Sequence, residues 1–344
     1  MKTDKSSSIF KKMTNSKSIH EATLLIENGD GNFCFSQNYG DKNIDSPIII
    51  ASITKMITTA CILILKDKNK LLLTDRAVDY FESDILKELH VLKGKDYTNE
   101  ITIMHLLTQS SGLPNVYLEA KSNIRKKMIS QDIDYSFEEF ITICKTVKPH
   151  FSPHSSSKAY YADINFDILG KIIEKVTNLS LDKVFRNYIF EPLGLTNTYL
   201  PISNENFIPC IYNKSNKLYR PNGLITSPAS GGVISTTKEL MVFLKAFFQG
   251  KLFDIDCFNE FPIYKKLQVT FAPIRYGLGH MQIPLGGIST MFQGKGQLIG
   301  HSGSTGSYAF YNPETDLYFV GDLNQMAKPT YPVRLAIQLA LVNK

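Results

Sequence analysis

Strand-forming segments stand at both ends of this chain, and helix-forming segments lie between them. Residues 22–27 (ATLLIE) and 33–39 (FCFSQNY) flank the turn sequence Asn-Gly-Asp-Gly-Asn, which predicts a β-hairpin. Short β-rich runs return from residue 275 onward, before a last amphipathic helix. Because an isolated hairpin is only marginally stable in water, we expect both ends to contribute strands to one antiparallel sheet. The predicted fold class is therefore α/β (α+β), with this sheet flanked by helices and a mostly helical domain inserted into it.

The order of these segments also predicts the domain boundaries. Residues 1–18 are polar and lack the apolar core of a signal peptide, so we expect them to form a polar N-terminal tail. Residues 19–80 and 225–344 would form the sheet domain, and residues 81–224 the helical domain. We expect an active site in the cleft between these domains, because ligand sites often form where two domains meet.

Composition narrows the class of protein further. The 344 residues carry a net charge of +6, but the lysines are scattered, so nucleic-acid binding is not expected. No run of about 18 apolar residues exists, and no membrane span is predicted. The five cysteines are odd in number and widely spaced, as is usual in a reducing compartment. In the absence of a leader we expect a cytoplasmic protein that is a monomer or a weak oligomer.

The segment IIIASITKM, residues 48–56, sets Ser52 and Lys55 three residues apart at the start of a helix. Apolar residues recur at helical spacing from Ile53 to about Lys66, so both side chains share one face of a buried helix. A lysine beside a serine hydroxyl can act as its base once burial favours the neutral amine. The alternative for Lys55 is a structural lysine whose ammonium reaches solvent.

The spacing S-x-x-K carries little weight by itself, because it recurs along the chain. It occurs at Ser8, Ser52, Ser155, Ser180 and Ser235. Among these, Ser52 follows an apolar, strand-like run and opens a helix that is apolar enough to be buried. The rest of the sequence must therefore decide whether Ser52 is a nucleophile.

Three segments resemble, in the same order, the three motifs of the penicillin-recognising serine hydrolases. SITKM (52–56) resembles the first, YYADINFDILGKIIE (160–174) the second and GHSGSTG (300–306) the third. Connecting phrases match as well, and they lie at 101–114, 190–200 and 227–240. The resemblance covers roughly residues 20–340 and is closest to the class C β-lactamase, DD-peptidase and D-aminopeptidase-like branch. It implies the β-lactamase/transpeptidase-like fold and an acyl-enzyme mechanism, with no metal or cofactor.

The resemblance also implies a role for each residue of the first two motifs. Ser52 is the nucleophile, and Lys55 holds or accepts its proton. Register selects Tyr161 over Tyr160, and a Tyr161 tyrosinate would carry a proton from Ser52 to the leaving group; the alternative is a core tyrosine pair. Asp163 stands where the family has Asn. Because a carboxylate only accepts hydrogen bonds, we expect Asp163 to keep Lys55 charged, to oppose efficient β-lactam turnover and to attract a substrate ammonium.

The third motif implies one wall of the cleft. We expect QLIGHSGS, residues 297–304, to be an edge strand along which a substrate backbone can lie. Ser302 and Gly303 are the small residues of this wall. The N–H of Ser304 would join the N–H of Ser52, which is unpaired at a helix start, in binding an oxyanion.

His301 takes the place of a lysine found in many members of the family. We expect it to donate a hydrogen bond to Tyr161 or to a substrate carboxylate, and the alternative is a structural histidine. The sequence thus predicts a class C-like serine hydrolase that cleaves an amide or ester bond of a small molecule or short peptide containing D-amino acids. The alternatives are a carboxylesterase of the same fold and a penicillin-binding sensor that is acylated on Ser52 without turnover.

Overall fold

The computed structural model describes residues 2–81, 84–121, 123–155, 157–261, 264–287, 290 and 293–343. The strands are β1 (Ala22–Asn28), β2 (Cys34–Tyr39), β3 (Pro47–Ile49), β4 (Val91–Leu92), β5 (Lys95–Asp96), β6 (Ile211–Asn213), β7 (Asn216–Leu218), β8 (Ile234–Thr236), β9 (Lys265–Lys266), β10 (Arg275–Tyr276), β11 (Met281–Pro284), β12 (Gln297–Ser302), β13 (Ser307–Asn312) and β14 (Leu317–Asp322). The α-helices are α1 (Lys2–Thr14), α2 (Thr54–Asp67), α3 (Ile103–Leu107), α4 (Val116–Glu119), α5 (Ile124–Ser130), α6 (Phe137–Lys145), α7 (Ile164–Thr177), α8 (Leu181–Phe185), α9 (Pro221–Ile225), α10 (Pro228–Gly231), α11 (Thr237–Phe248), α12 (Cys257–Glu260) and α13 (Tyr331–Val342).

Both ends of the chain meet in one antiparallel sheet. Within the described residues this sheet has eight strands, in the order β2-β1-β14-β13-β12-β11-β10-β9. The N-terminal strand β1 pairs with β2 on one side and with β14 on the other, with Ile26 opposite Phe319. Alternate residues of β1 face opposite sides of the sheet, so Leu24 packs into one apolar cluster and Leu25 into another. The predicted fold class, a sheet built from both ends of the chain and combined with helices, is confirmed.

The N-terminal segment is a helix, which corrects the prediction of a polar tail. Helix α1 packs against the C-terminal helix α13. Phe10 is fully buried there, and Asn343 donates a hydrogen bond to the Ser6 hydroxyl at 2.9 Å. The sequence hides this contact because Ile9, Phe10 and Met13 give a narrow apolar face on an otherwise polar helix.

Helix α2 runs through the centre of the molecule. The helix predicted to begin near Ser52 starts as a 3₁₀ turn, Ala51–Ile53, and continues as α2. Every residue from Thr54 to Leu65 is buried, because α2 packs against α7 and α10 as well as the apolar core. Lys55, in the first turn of this helix, is fully buried, so its ammonium does not reach solvent as the structural alternative would require.

The chain between α2 and β8 contains α3 to α10 and the small hairpins β4–β5 and β6–β7. Strand β3, just before the Ser52 turn, pairs with β8 outside the large sheet. Among the described residues, no helix combines the length and the apolar character needed to cross a membrane.

Strand β12 lies inside the sheet, so the prediction of an edge strand over 297–304 is wrong for its first part. Its residues up to Gly300 pair with β11, and its residues from Ile299 to Ser302 pair with β13. Beyond Gly300, the described strand pairs of His301 and Ser302 are those with β13 alone. The short strand β11 (Met281–Pro284) covers the edge of β12 that the sequence predicted to be free. Within the described residues, the part of β12 beyond Gly300 is not paired with β11.

We predict that Phe10→Ala destabilises the protein, since the ring is fully buried between α1 and α13. Loss of a buried Phe side chain should lower the free energy of unfolding by about 3–5 kcal/mol. Lys11→Ala, at the next and exposed position of the same helix, is the control and should change it by less than about 0.5 kcal/mol. Denaturant unfolding measures both, and equal stability of the two variants would mean that α1 does not pack on the sheet.

Candidate active site

Ser52 lies in the short turn that precedes α2, and its backbone is held from the opposite side of the cleft. The Thr305 hydroxyl donates to the carbonyl of Ile49 at 2.8 Å, and the Ser307 hydroxyl donates to that of Ile50 at 2.9 Å. Ala51 has φ of 46°, in the left-handed region that residues other than glycine seldom adopt. The nucleophile candidate therefore stands on a fixed and locally strained backbone.

Lys55 is completely buried, and oxygen atoms surround its ammonium. Nζ donates to Ser52 Oγ at 3.1 Å, to Asp163 Oδ1 at 2.5 Å and to the Ser230 carbonyl at 2.6 Å. An ammonium has three protons, so these three acceptors satisfy it completely. The sequence prediction brought Ser52, Lys55 and Asp163 together, but it did not include Ser230, because any residue can supply a backbone carbonyl.

Tyr161 closes the other side of the Lys55 ammonium. Its ring centre lies 5.2 Å from Lys55 Nζ, and its side chain lines the same cavity as Ser52. Burial raises the pKa of the Tyr161 phenol well above its usual value, and the charge of Asp163 acts in the same direction, while the Ser52 hydroxyl opposes both. Tyr161 is thus a neutral phenol rather than the tyrosinate that the sequence suggested. The neighbouring Tyr160 stacks on His150 instead, with ring centres 3.5 Å apart.

Three amide side chains fix the backbone around Tyr161. Gln268 Oε1 accepts the Tyr161 N–H at 3.1 Å, and Asn115 Nδ2 donates to the Tyr161 carbonyl at 3.2 Å. Gln109 Oε1 accepts the N–H of Ala162 at 2.9 Å. The sequence analysis missed all three, although Gln109 lies within the connecting phrase at 101–114 and Asn115 directly follows it.

Asp163 and Asp167 lie one turn apart at the start of α7. Asp163 keeps 19% of its side-chain surface exposed, whereas Asp167 is buried and neither of its oxygens has a hydrogen-bond partner among the described residues. Burial raises the pKa of Asp167 to about 7; the Ser230 hydroxyl opposes this rise, and the Asp163 charge adds to it. A second carboxyl group, which is about half protonated near pH 7, therefore lies near the Lys55–Asp163 pair, and no sequence motif distinguishes it.

His301 is fully buried and does not line the cavity, which corrects its predicted contact with substrate. Its Nδ1 lies 2.8 Å from the Ser302 carbonyl and its Nε2 lies 3.3 Å from the Tyr276 hydroxyl. Burial lowers the pKa of His301 to about 3, with the Lys55 charge acting in the same direction. The neutral ring therefore donates from Nδ1 to the carbonyl and accepts at Nε2 from Tyr276, so no proton is left for Tyr161 or a substrate carboxylate.

The turn after β12 lies at the same cavity as Ser52. Ser302, Gly303 and Ser304 all line the cavity with Ser52. A Cβ atom at Gly303 would lie 2.6 Å from the Ile50 carbonyl, so the turn can approach the Ser52 segment only with glycine there. Ser52 and Ser304 therefore border the same cavity, and their N–H groups remain the candidates for an oxyanion hole.

The cavity that contains these groups has a volume of about 280 Å³. Apolar side chains form much of its wall, while Ser52, Tyr161 and Asp163 line its reactive part. A larger groove of about 760 Å³ lies on the other side of Tyr160, but none of the predicted site residues lines it. Among the described residues, no group of three or more His, Cys, Asp or Glu side chains is arranged to hold a metal ion.

We predict that Asp167→Asn stabilises the protein more at pH 8 than at pH 4. Because the folded-state pKa of Asp167 is raised to about 7 from an ordinary 3.8, the folded state retains a proton that the unfolded state releases. The stability contributed by this carboxyl group is thus present below about pH 4 and is lost as the pH rises through about 7, with an upper limit of about 4 kcal/mol.

Thermal unfolding of the wild type and Asp167→Asn at both pH values measures this difference. Asp182→Asn, in the first turn of α8 and outside the cavity, is the control and should show no such pH dependence. An effect of Asp167→Asn that is the same at pH 4 and pH 8 would mean that Asp167 is already ionised in the folded protein at pH 4.

Comparisons with known proteins agree with this arrangement. The family model described as Beta-lactamase matches residues 43–344. A "Putative D-alanyl-D-alanine carboxypeptidase" of Escherichia coli (strain K12) is 27% identical over 322 residues, covering 83% of this chain and 69% of that protein. The Monacolin J acid methylbutanoyltransferase of Aspergillus terreus is 27% identical over 209 residues, covering 54% of this chain and 49% of the relative. The chain thus spans about half the length of the latter relative.

A solved structure shows the same fold at lower sequence identity. The D-stereospecific amidohydrolase from Streptomyces sp. superimposes with a TM-score of 0.77 and 21% identity, covering 94% of each chain. The family model extends over more than half of the chain and includes all three motifs. From its fold, its ordered motifs and this match, the chain belongs to the beta-lactamase family.

Proposed function

We propose that this protein is a serine hydrolase that cleaves an amide or ester bond through an acyl-enzyme on Ser52. The observation that carries the proposal is the 3.1 Å contact between Ser52 Oγ and the buried Nζ of Lys55 in a cavity that also contains Tyr161. A serine hydroxyl becomes a useful nucleophile when an adjacent base takes its proton. Lys55 is the basic side chain in contact with it.

The other two partners of Lys55 orient its lone pair once it is neutral. A neutral amine has two protons, which would stay on Asp163 Oδ1 and the Ser230 carbonyl, since both oxygens only accept hydrogen bonds. The lone pair then points to Ser52, whose hydroxyl can donate. Proton transfer from Ser52 Oγ to Lys55 Nζ accompanies attack on the substrate carbonyl, and the N–H groups of Ser52 and Ser304 stabilise the resulting oxyanion.

Collapse of the tetrahedral intermediate needs a proton for the leaving group. Tyr161 is a neutral phenol beside Ser52 and can donate that proton, and the Lys55 ammonium can then restore it. Water attacks the acyl-enzyme in the second half-reaction, with the same groups acting in reverse. His301 takes no direct part here; it positions the Ser302 backbone and the Tyr276 hydroxyl beside the cavity.

The substrate class that we propose is a small peptide or amide with a D-configured residue. The cavity of about 280 Å³ accepts a ligand of this size, and the Streptomyces relative is a D-stereospecific amidohydrolase. The second candidate is an acyl transfer or esterase reaction. The relative from Aspergillus terreus favours it, because that protein is named a methylbutanoyltransferase. Both candidates use the same acyl-enzyme and differ in whether water or an alcohol accepts the acyl group.

We predict that a labelled fluorophosphonate attaches to Ser52 and that Ser52→Ala abolishes both labelling and ester hydrolysis. Ser180→Ala is the matched control, because Ser180 also begins an S-x-x-K sequence before a helix but lies outside the cavity. Peptide mapping locates the label, and label on Ser180 would disprove the assignment. With a chromogenic ester, steady turnover is expected, whereas one stoichiometric burst without further product would favour the penicillin-binding sensor.

We predict that Asp163→Asn moves the rising limb of the kcat/KM profile to lower pH. The carboxylate lies 2.5 Å from Lys55 Nζ and stabilises the ammonium, so its loss favours the neutral amine that acts as base. Activity on β-lactams should also rise relative to simple esters, because Asn restores an amide donor. If Asp163 instead binds a substrate amine, the same variant should selectively slow amino-bearing substrates.

Asp182→Asn serves as the control for this experiment, since it removes a carboxylate from a helix start outside the cavity. A melting curve of Asp163→Asn establishes that the variant is folded. An unchanged pH profile together with an unchanged substrate ranking would remove Asp163 from the reaction.

A further inference from the structure

One cation of the cavity that contains Ser52 has no partner among the residues that the structure describes. Arg125 lies in the first turn of α5 and lines the same cavity as Ser52. In the described part of the chain, its guanidinium makes no hydrogen bond, ion pair or ring contact. A guanidinium carries five N–H donors, and its planar geometry matches a carboxylate.

Arg220, the second arginine that lines the cavity, has a structural role. Arg220 donates from Nε to the Met128 carbonyl at 2.8 Å and from its two terminal nitrogens to the carbonyls of Tyr219 and Ile129 at 2.8 and 2.7 Å. Its donors therefore hold the C-terminal end of α5 in place. Arg125 begins the same helix and has no comparable structural task.

The remaining charges of the cavity leave this positive charge uncompensated. Asp163 is the carboxylate among the lining residues, and its Oδ1 is already paired with Lys55 at 2.5 Å. The cavity therefore has an excess of positive charge near its wall of apolar side chains, where an ion pair with a ligand is stronger than in water. A bound anion would fit this balance.

The histidine of the third motif is not available to bind a carboxylate. His301 is fully buried and both of its ring nitrogens are engaged, so the third motif supplies no side-chain cation to the cavity. Any carboxylate on the substrate must find its positive partner elsewhere on the cavity wall. Arg125 lines the cavity, and its N–H donors have no acceptor among the described residues.

We propose that Arg125 binds a carboxylate of the substrate. The site would then select small acids that carry this carboxylate and the scissile amide or ester bond in the same molecule. This rests on the proposed hydrolase function and adds the substrate's charge to it. Both Arg125 and Ser52 border one cavity of about 280 Å³, so the carboxylate and the scissile carbonyl belong to the same compact molecule.

The test compares an acidic ester with a neutral ester of nearly the same size. The p-nitrophenyl monoester of glutaric acid carries the carboxylate, and p-nitrophenyl pentanoate lacks it. Arg125→Gln should lower kcat/KM for the glutarate ester by about 10- to 100-fold, mainly through KM, because a charge-assisted hydrogen bond is lost. It should change kcat/KM for the pentanoate ester by less than about twofold, and Arg125→Lys should restore part of the loss.

Lys126→Gln is the matched control, since it removes the same charge from the adjacent, exposed position of the same helix. A control that weakens glutarate-ester hydrolysis as much as Arg125→Gln would overturn the proposal, because the effect would then be one of net charge. An acidic-to-neutral ratio that Arg125→Gln leaves unchanged would overturn it as well.

A binding measurement separates this proposal from the hydrolase function itself. Calorimetry with monomethyl glutarate on Ser52→Ala reports the carboxylate site without turnover, and Arg125→Gln in that background should weaken binding by the same factor. Binding that depends on Arg125 would support the site even if neither ester were hydrolysed. Absence of Arg125-dependent binding, with wild-type ester turnover intact, would overturn the site and leave the hydrolase function standing.

Discussion

The buried ammonium of Lys55 is the interaction on which the rest of the site depends. A charged amine that is removed from water costs several kcal/mol unless other groups replace its hydration. Ser52, Asp163 and Ser230 replace it here, and they come from three segments that are far apart in the sequence. Those segments must pack around α2 before Lys55 is satisfied, so formation of the site is coupled to formation of the helical core.

Two glycines set how closely these segments approach. A Cβ at Gly170, in α7, would lie 2.5 Å from the Cβ of Ala229, so a side chain there would push α7 away from α10. Asp163 begins α7 and Ser230 lies in α10, and their oxygens meet at Lys55. Gly303 similarly lets the turn after β12 approach the Ser52 segment. Because these two glycines have no side chain, the segments that carry Asp163, Ser230 and Ser52 can pack closely together.

The fold could largely be predicted from the sequence, because the elements follow local patterns, whereas the candidate site residues were chosen through a resemblance to a known family. Helical spacing identified α2, and the ordered motifs singled out Ser52, Lys55 and Tyr161. Contacts that involve backbone atoms left no such pattern, as the Ser230 carbonyl shows. His301 matched its motif by position, but its role depends on burial and on Tyr276, which a motif does not encode. The packing of α1 was missed for the same reason.

The charges around Lys55 connect the stability of the protein with its chemistry. While Asp167 is protonated, Lys55 and Asp163 form one pair with no net charge. Ionisation of Asp167 places two carboxylates near one ammonium, and that arrangement opposes the deprotonation of Lys55 on which the proposed mechanism depends.

The burial that raises the pKa of Asp167 therefore also limits the negative charge that Lys55 experiences. The charge of Asp163 adds to that raised pKa of Asp167. An asparagine at position 163, as in the family pattern, would remove one charge from Lys55 and would also ease the ionisation of Asp167. The departure at position 163 is thus a change in the whole buried cluster, in which the loss of one carboxylate is partly offset by the ionisation of the other.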